Sequence, residues 1–221
     1  MYVRPACEQK KGTFMTEAVA KANYKWRVVD IVVAAIIAVA SGVIFWGWDI
    51  VCSAPLALFE GVTPGFEGLL NGFWLFAGPL VAIIIRKPGA ALITEVLASA
   101  IELLMGNSGG ATVVLTGLIQ GVGCELGFAV FRYRKYNLLS MALSGVFAAV
   151  CIFCYELYYL SYYLLAPTML AAQLAVRFAS AVVFSGVIAK LACDGLARTG
   201  VLRSYAVGAR LAPVSIDDEE E

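Results

Sequence analysis

Histidine is absent from this 221-residue chain, which removes the commonest metal ligand and the commonest general base. Charge is scarce: 14% of residues are charged, against about a quarter in a soluble domain. Much of the surface therefore does not face water. The 16 basic and 16 acidic residues cancel, so no basic excess points to nucleic acid. No GxxxxGK[ST] loop occurs, so this chain does not energise anything through a P-loop of its own. Residues 1–27 are polar and basic and no small-residue cleavage site follows promptly, so no cleaved signal peptide is expected. Neither an internal repeat nor a low-complexity stretch is found. Catalytic, metal and cofactor sites are accordingly not expected.

What the chain has instead is length of apolar run: 61% of its residues are hydrophobic. Runs of about 20 such residues cross a bilayer as helices and exclude the alternation of a barrel. Six spans are expected: 28–48, 66–85, 88–106, 111–131, 138–165 and 168–196. The fold class is thus an all-α integral membrane protein. Residues 1–27 form an N-terminal segment, 28–197 a membrane domain and 198–221 a tail. Lys10, Lys11, Lys21, Lys25 and Arg27 precede the first span. Arg86 and Lys87 occupy the second connection, Arg132, Arg134 and Lys135 the fourth, and Arg198, Arg203 and Arg210 the tail. The first, third and fifth connections carry no Lys or Arg. That alternation places both termini in the cytoplasm. The first external connection, residues 49–65, reads as a lid or a plain connector. Asp217 to Glu221 read as a solvated end.

Four of the six cysteines (Cys52, Cys124, Cys151, Cys154, Cys193 and Cys7 in all) lie in apolar runs, where a thiol behaves as a small hydrophobe. Ala34, Ala38 and Gly42 recur every four residues on the first span. Such a stripe lets two helix backbones approach closely, within this chain or on a partner.

Ionisable groups in a membrane are functional hypotheses by default; here they are Glu95, Glu102, Glu125, Glu156 and Arg177. Glu156 and Arg177 fall at similar depth and form an expected ion pair. Three surplus carboxylates remain, to bond between helices or to meet an amino-bearing or cationic ligand. Glu102, nearest the outside, best suits a ligand, whereas helix-to-helix bonding suits Glu95 and Glu125. Asn71 and Trp74 share a face, as do Gln173 and Arg177, and as do Glu156, Tyr159 and Tyr163. Trp74 offers a ring for stacking or an interfacial anchor. The 106–110 turn brings Asn107 with three glycines, and Gln120 opens a glycine-rich stretch inside the fourth span.

The run containing Asn71, Trp74, Gly78 and Pro79, then Arg86-Lys87-Pro88-Gly89, resembles the YkoE-type substrate-binding (S) subunits of energy-coupling factor (ECF) transporters. The continuation through Glu95, Glu102, Gly106, Asn107, Gln120, Gly121, Gly123 and Glu125 fits the same pattern, over about residues 28–200. The resemblance implies a six-helix subunit of a prokaryotic cell membrane that captures hydroxymethylpyrimidine or thiamin from outside. It implies partners too: a membrane coupling subunit and two ATP-binding subunits. Small residues on the first helix, here Ala34, Ala38 and Gly42, would contact the coupling subunit, and the S subunit would deliver its cargo by toppling. Asn71, Trp74, Glu95, Glu102, Asn107, Gln120, Glu125, Tyr159 and Tyr163 are the substrate-binding candidates. Where the family often places a Trp near Asn107, this chain has Ser108 and Gly109. The competing reading is a self-sufficient proton-coupled transporter, though inverted repeats and broken helices are not found. A membrane enzyme lacks a plausible nucleophile or metal cluster.

Overall fold

The computed structural model describes residues 24–62 and 66–211. Cys7, Lys10, Lys11, Lys21 and Asp217 to Glu221 lie outside the described residues, as do the side chains of Glu60 and Arg210. The described residues contain helices and turns but no strand.

Helix α1 (Val28–Val62) is 35 residues long, about 52 Å, and runs through the segment 49–62 that the sequence reads as connection. Pro55 sits inside it; membrane helices tolerate this because neighbours satisfy the freed carbonyl. The next rod is composite: α2 (Gly68–Asn71), a 3₁₀ turn (Gly72–Leu75) and α3 (Ala77–Ile85). Every residue of α3 is buried, so this apolar helix is the centre of the bundle. Around it stand α4 (Ala90–Leu104), α5 (Thr112–Ala129) and α6 (Leu138–Tyr159). The last rod joins α7 (Pro167–Ala181), a π-helical stretch (Val182–Ile188) and α8 (Ala189–Arg198); a short α9 (Gly208–Leu211) follows. Five of these rods are long and apolar enough to cross a membrane. The 15-residue α4 is not; it measures about 22 Å where the sequence reading expects a full span.

Small residues set the packing. A Cβ on Gly127 would stand 2.3 Å from Ser144 Cα, so α5 and α6 touch backbone to backbone. The stripe on α1 behaves likewise: a Cβ on Gly42 would fall 2.6 Å from the Ala98 carbonyl of α4. Ala34 and Ala38 are buried in the same seam, Ala38 at 0% exposure. This corrects the partner-binding assignment of Ala34, Ala38 and Gly42. Packing within the chain consumes them, and the outward face of α1 is Ile31, Ile36 and Val43 instead.

The basic connections gather at one end. Asp30 is fully buried there, paired with Lys87 and, at 3.0 Å, with Arg27, and it accepts from the Tyr205 hydroxyl at 3.2 Å. Lys87 also donates to the Lys25 carbonyl, and the Trp26 indole to the Pro88 carbonyl at 3.2 Å. Burial, then the Asp30 carboxylate, raise the Tyr205 phenol above its ordinary value, so it stays a donor at neutral pH. Asp30 therefore ties the N-terminal entry, the α3–α4 connection and the C-terminal segment together. At the opposite end Asp49 of α1 accepts from Ser108 in the α4–α5 turn, from its N–H at 3.2 Å and its hydroxyl at 2.9 Å.

Candidate functional site

A cavity of about 320 Å³ opens among α1, the 3₁₀ turn, α4, α5, α6 and α7, at the end that bears the α4–α5 turn. Asn71, Trp74, Glu95, Glu102, Asn107 and Gln120 all line it. The lining also includes Asp49, Ser99, Thr112, Thr116, Glu156 and Arg177. Four carboxylates thus face one cation.

Local geometry explains why these side chains point inward. The 3₁₀ turn places Trp74 so that its indole N–H donates to Glu102 Oε1 at 3.1 Å, which fixes the ring plane. Asn107 donates to the same oxygen at 2.5 Å, while its own carbonyl oxygen accepts from the Gly109 N–H at 2.5 Å. The turn therefore closes on itself and on Glu102. About two turns lower on the same face of α4, Glu95 Oε1 accepts from the Gly78 N–H at 2.7 Å, at the start of α3. Its second oxygen, Oε2, is buried without a partner. Buried acceptors are rarely left so, because desolvation is not then repaid. On the far wall Arg177 Nη2 lies 2.5 Å from Glu156 Oε2, joining α7 to α6. The arrangement suits a planar solute with an amino or cationic group toward Glu95 and Glu102 and a ring beside Trp74.

Three candidates from the sequence do not reach this cavity. Glu125 accepts from the N–H groups of Gly89 at 2.6 Å, Ala91 at 3.2 Å and Leu92 at 3.4 Å. It caps the N-terminus of α4 from α5, where the helix dipole and unpaired N–H groups hold a carboxylate. Tyr159 and Tyr163 are each 59% exposed and point away. Helix α6 ends at Tyr159, which stacks on Tyr155, and Ser161 at φ 56° breaks the phase before Tyr163. Tyr162 turns inward instead, donating to Glu67 at 2.9 Å.

Sequence reasoning passed over Asp49, Ser99, Thr112 and Thr116 as lining residues. The hydroxyls carry a weak signal, a small polar residue in an apolar run. It also passed over Asp30, although an aspartate three residues into a membrane helix is a signal that needs no structure. Among the described residues no group of three or more His, Cys, Asp or Glu is placed to hold a metal ion.

Comparison with known proteins follows the same lines. The family model described as "ABC-type cobalt transport system, permease component" matches residues 29–151. A curated relative from Bacillus subtilis (strain 168), "Putative HMP/thiamine permease protein YkoE", is 32% identical over 186 residues, 84% of this chain and 92% of its own length. A solved structure described as "Crystal structure of an S-component of ECF transporter" superposes with a TM-score of 0.79 at 32% identity. It covers 85% of this chain and 93% of its own. These relatives are transporter components rather than enzymes, and the apolar helices here are those of a multi-pass membrane protein. The chain belongs to the YkoE-type S components of ECF transporters.

Proposed function

We propose that this chain captures hydroxymethylpyrimidine or thiamin from outside a bacterial plasma membrane and hands it to a coupling subunit driven by two separate ATPases. The observation that carries the reading is the acidic cavity, in which Glu102 is held by Trp74 and Asn107 while Glu95 keeps a free oxygen. An aminopyrimidine brings an amino donor and a flat face to that pair, and thiamin adds a fixed positive charge. The relative named for HMP and thiamine supports the same cargo. Against a transition-metal cargo stands the absence of histidine, the imidazole ligand such ions favour, from the sequence.

The chain crosses the membrane six times, α4 included, with both termini in the cytoplasm. Support comes from the clustering of the basic connections at the Asp30 end and of the cavity mouth at the other. With the small-residue stripe buried, the coupling subunit meets the outward aliphatic face of α1, and delivery proceeds by toppling of the whole bundle.

Small molecules released from the detergent-purified protein are identified by mass spectrometry, and thiamin and hydroxymethylpyrimidine are then titrated. Submicromolar binding of either without a partner chain is the expected result. Unchanged affinity after Glu102→Gln and Trp74→Ala are combined, in a folded protein, sinks the assignment of the cavity.

A further inference from the structure

The bases at the end away from the cavity mouth divide by what they meet. Arg27 and Lys87 are taken up by Asp30. Arg86 lies 5.6 Å over the Tyr136 ring and donates to the Ile83 carbonyl at 3.3 Å. The turn between α5 and α6 differs. Arg132, Arg134 and Lys135 are exposed there, and among the described residues no ion pair engages them. The carboxylates of this end, Asp30, Glu125 and Asp194, already meet Lys87, the N–H groups of α4 and Lys190. The turn is also held in place. The Arg132 N–H donates to the Ala129 carbonyl at 2.7 Å, Tyr133 to Phe128 at 3.1 Å and Arg134 to Phe131 at 3.0 Å. The Tyr24 ring meets Tyr133 edge-on at 6.3 Å, and Lys135 Nζ stands 5.6 Å over the Phe131 ring.

Both flanking helices are long and apolar enough to cross a membrane, so this turn stands where the hydrocarbon ends. Leu126 and Val130 share one face at the end of α5, and Leu138 and Leu139 open α6; all four are 44–59% exposed. Cations and lipid-facing aliphatics therefore adjoin. We propose that the turn binds an anionic phospholipid: the phosphodiester meets Arg132, Arg134 and Lys135, and the acyl chains lie along Leu126, Val130, Leu138 and Leu139. A soluble acidic partner would match the bases and leave the aliphatics uncovered. A zwitterionic lipid would match the aliphatics and bring its own cation against the bases. Each base near an anionic headgroup contributes about 1 kcal/mol, and a backbone already held in the bound shape keeps the ordering cost low. The surface is separate from the cargo cavity and does not depend on what that cavity binds.

Native mass spectrometry of the full chain in detergent tests this, with titration of phosphatidylglycerol and of phosphatidylcholine carrying the same acyl chains. The wild type is expected to bind phosphatidylglycerol at least about tenfold more tightly. Arg132→Asn combined with Arg134→Gln removes two charges, and asparagine tolerates the left-handed backbone that Arg132 adopts at φ 53°. This pair is expected to weaken phosphatidylglycerol at least about tenfold and phosphatidylcholine by less than about threefold. Arg198→Gln combined with Arg203→Gln removes the same charge from the C-terminal segment; it is expected to change either lipid by less than about threefold. If the two pairs weaken phosphatidylglycerol equally, the lipid answers to the general field of the basic end and the site falls. A folded Arg132→Asn, Arg134→Gln chain with wild-type affinity for phosphatidylglycerol overturns it as well. If the wild type alone binds both lipids within about threefold, it falls without any variant.

Discussion

At the basic end of the bundle, Asp30 is met by Arg27, Lys87 and Tyr205, and Glu125 by three N–H groups of α4. At the other end Glu95 and Glu156 each retain an oxygen, Arg177 two nitrogens, and Gln173 its whole amide, all buried without a hydrogen bond, against the Tyr136 hydroxyl beside Arg86 at the basic end. Both ends bury charge at similar depth, so burial alone does not separate structure from function here. Satisfaction does: a group whose bonds are all made within the chain holds the fold, and one with bonds to spare has something else to hold.

The contrast is broken most severely at Asp30. Asp30→Ala leaves Lys87 buried beside no carboxylate, and a loss of about 3–5 kcal/mol is expected. Thermal unfolding in detergent reads it, and adding Lys87→Met should restore part of the loss. Ligand affinity of whatever remains folded should be unchanged. At the other end Glu95→Gln should do the reverse. It weakens cargo binding by about tenfold to a hundredfold with little change in unfolding temperature, because the amide oxygen can still accept from Gly78. A large stability loss with intact binding would erase the distinction between the ends. Between them, Gly42→Leu drives a side chain into Ala98 and Ile101, and an overpacking loss of about 1–3 kcal/mol is expected in the isolated chain. If that variant is as stable as wild type and fails only in assembly with its coupling subunit, the stripe is a partner surface after all. The smallest effect is expected at Glu125. Glu125→Gln loses part of a cap worth about 0.5–2 kcal/mol, with cargo affinity within about threefold.

Among the described residues, hydropathy alone located the start of each long rod, and the end of all but α1 and α6, within a few residues, because apolar runs and their basic stops are local properties of the chain. What escaped depends on approach between rods. Glu125 is a cap only because α5 lies against α4 at Gly121, where a Cβ would be 3.1 Å from Leu92. Nothing in the spacing of Glu95, Glu102 and Glu125 reveals that. Helix α1 overran its expected end because Asp49 and Pro55 read as connection, whereas Asp49 finds a donor in Ser108 fifty-nine residues away. Tyr163 was misplaced by extrapolating helical phase across Ser161, one left-handed residue that no pattern of apolar positions discloses. The cavity's Asn71, Trp74, Glu102, Asn107 and Gln120 were legible because polar residues stand out in an apolar sequence wherever they fall.

The π-helical stretch at Val182–Ile188 makes the last rod a geared joint. Above it Ser180 donates to the Leu69 carbonyl at 2.5 Å; inside it Ser185 donates to the Leu75 carbonyl at 2.8 Å, and below it Cys193 enters the core. A wide turn adds a residue without adding its rotation, about 100° in an ordinary helix. Removing one residue from 182–188 would let the coil close to an ordinary helix with Arg177 and Cys193 still on their present faces, whereas removing one from the regular α8 ahead of Cys193 would swing that side chain by about that angle, out toward lipid. The wide turn is thus the one stretch of this rod where the chain can change length by a residue while the cavity end and the basic end keep their relative orientation.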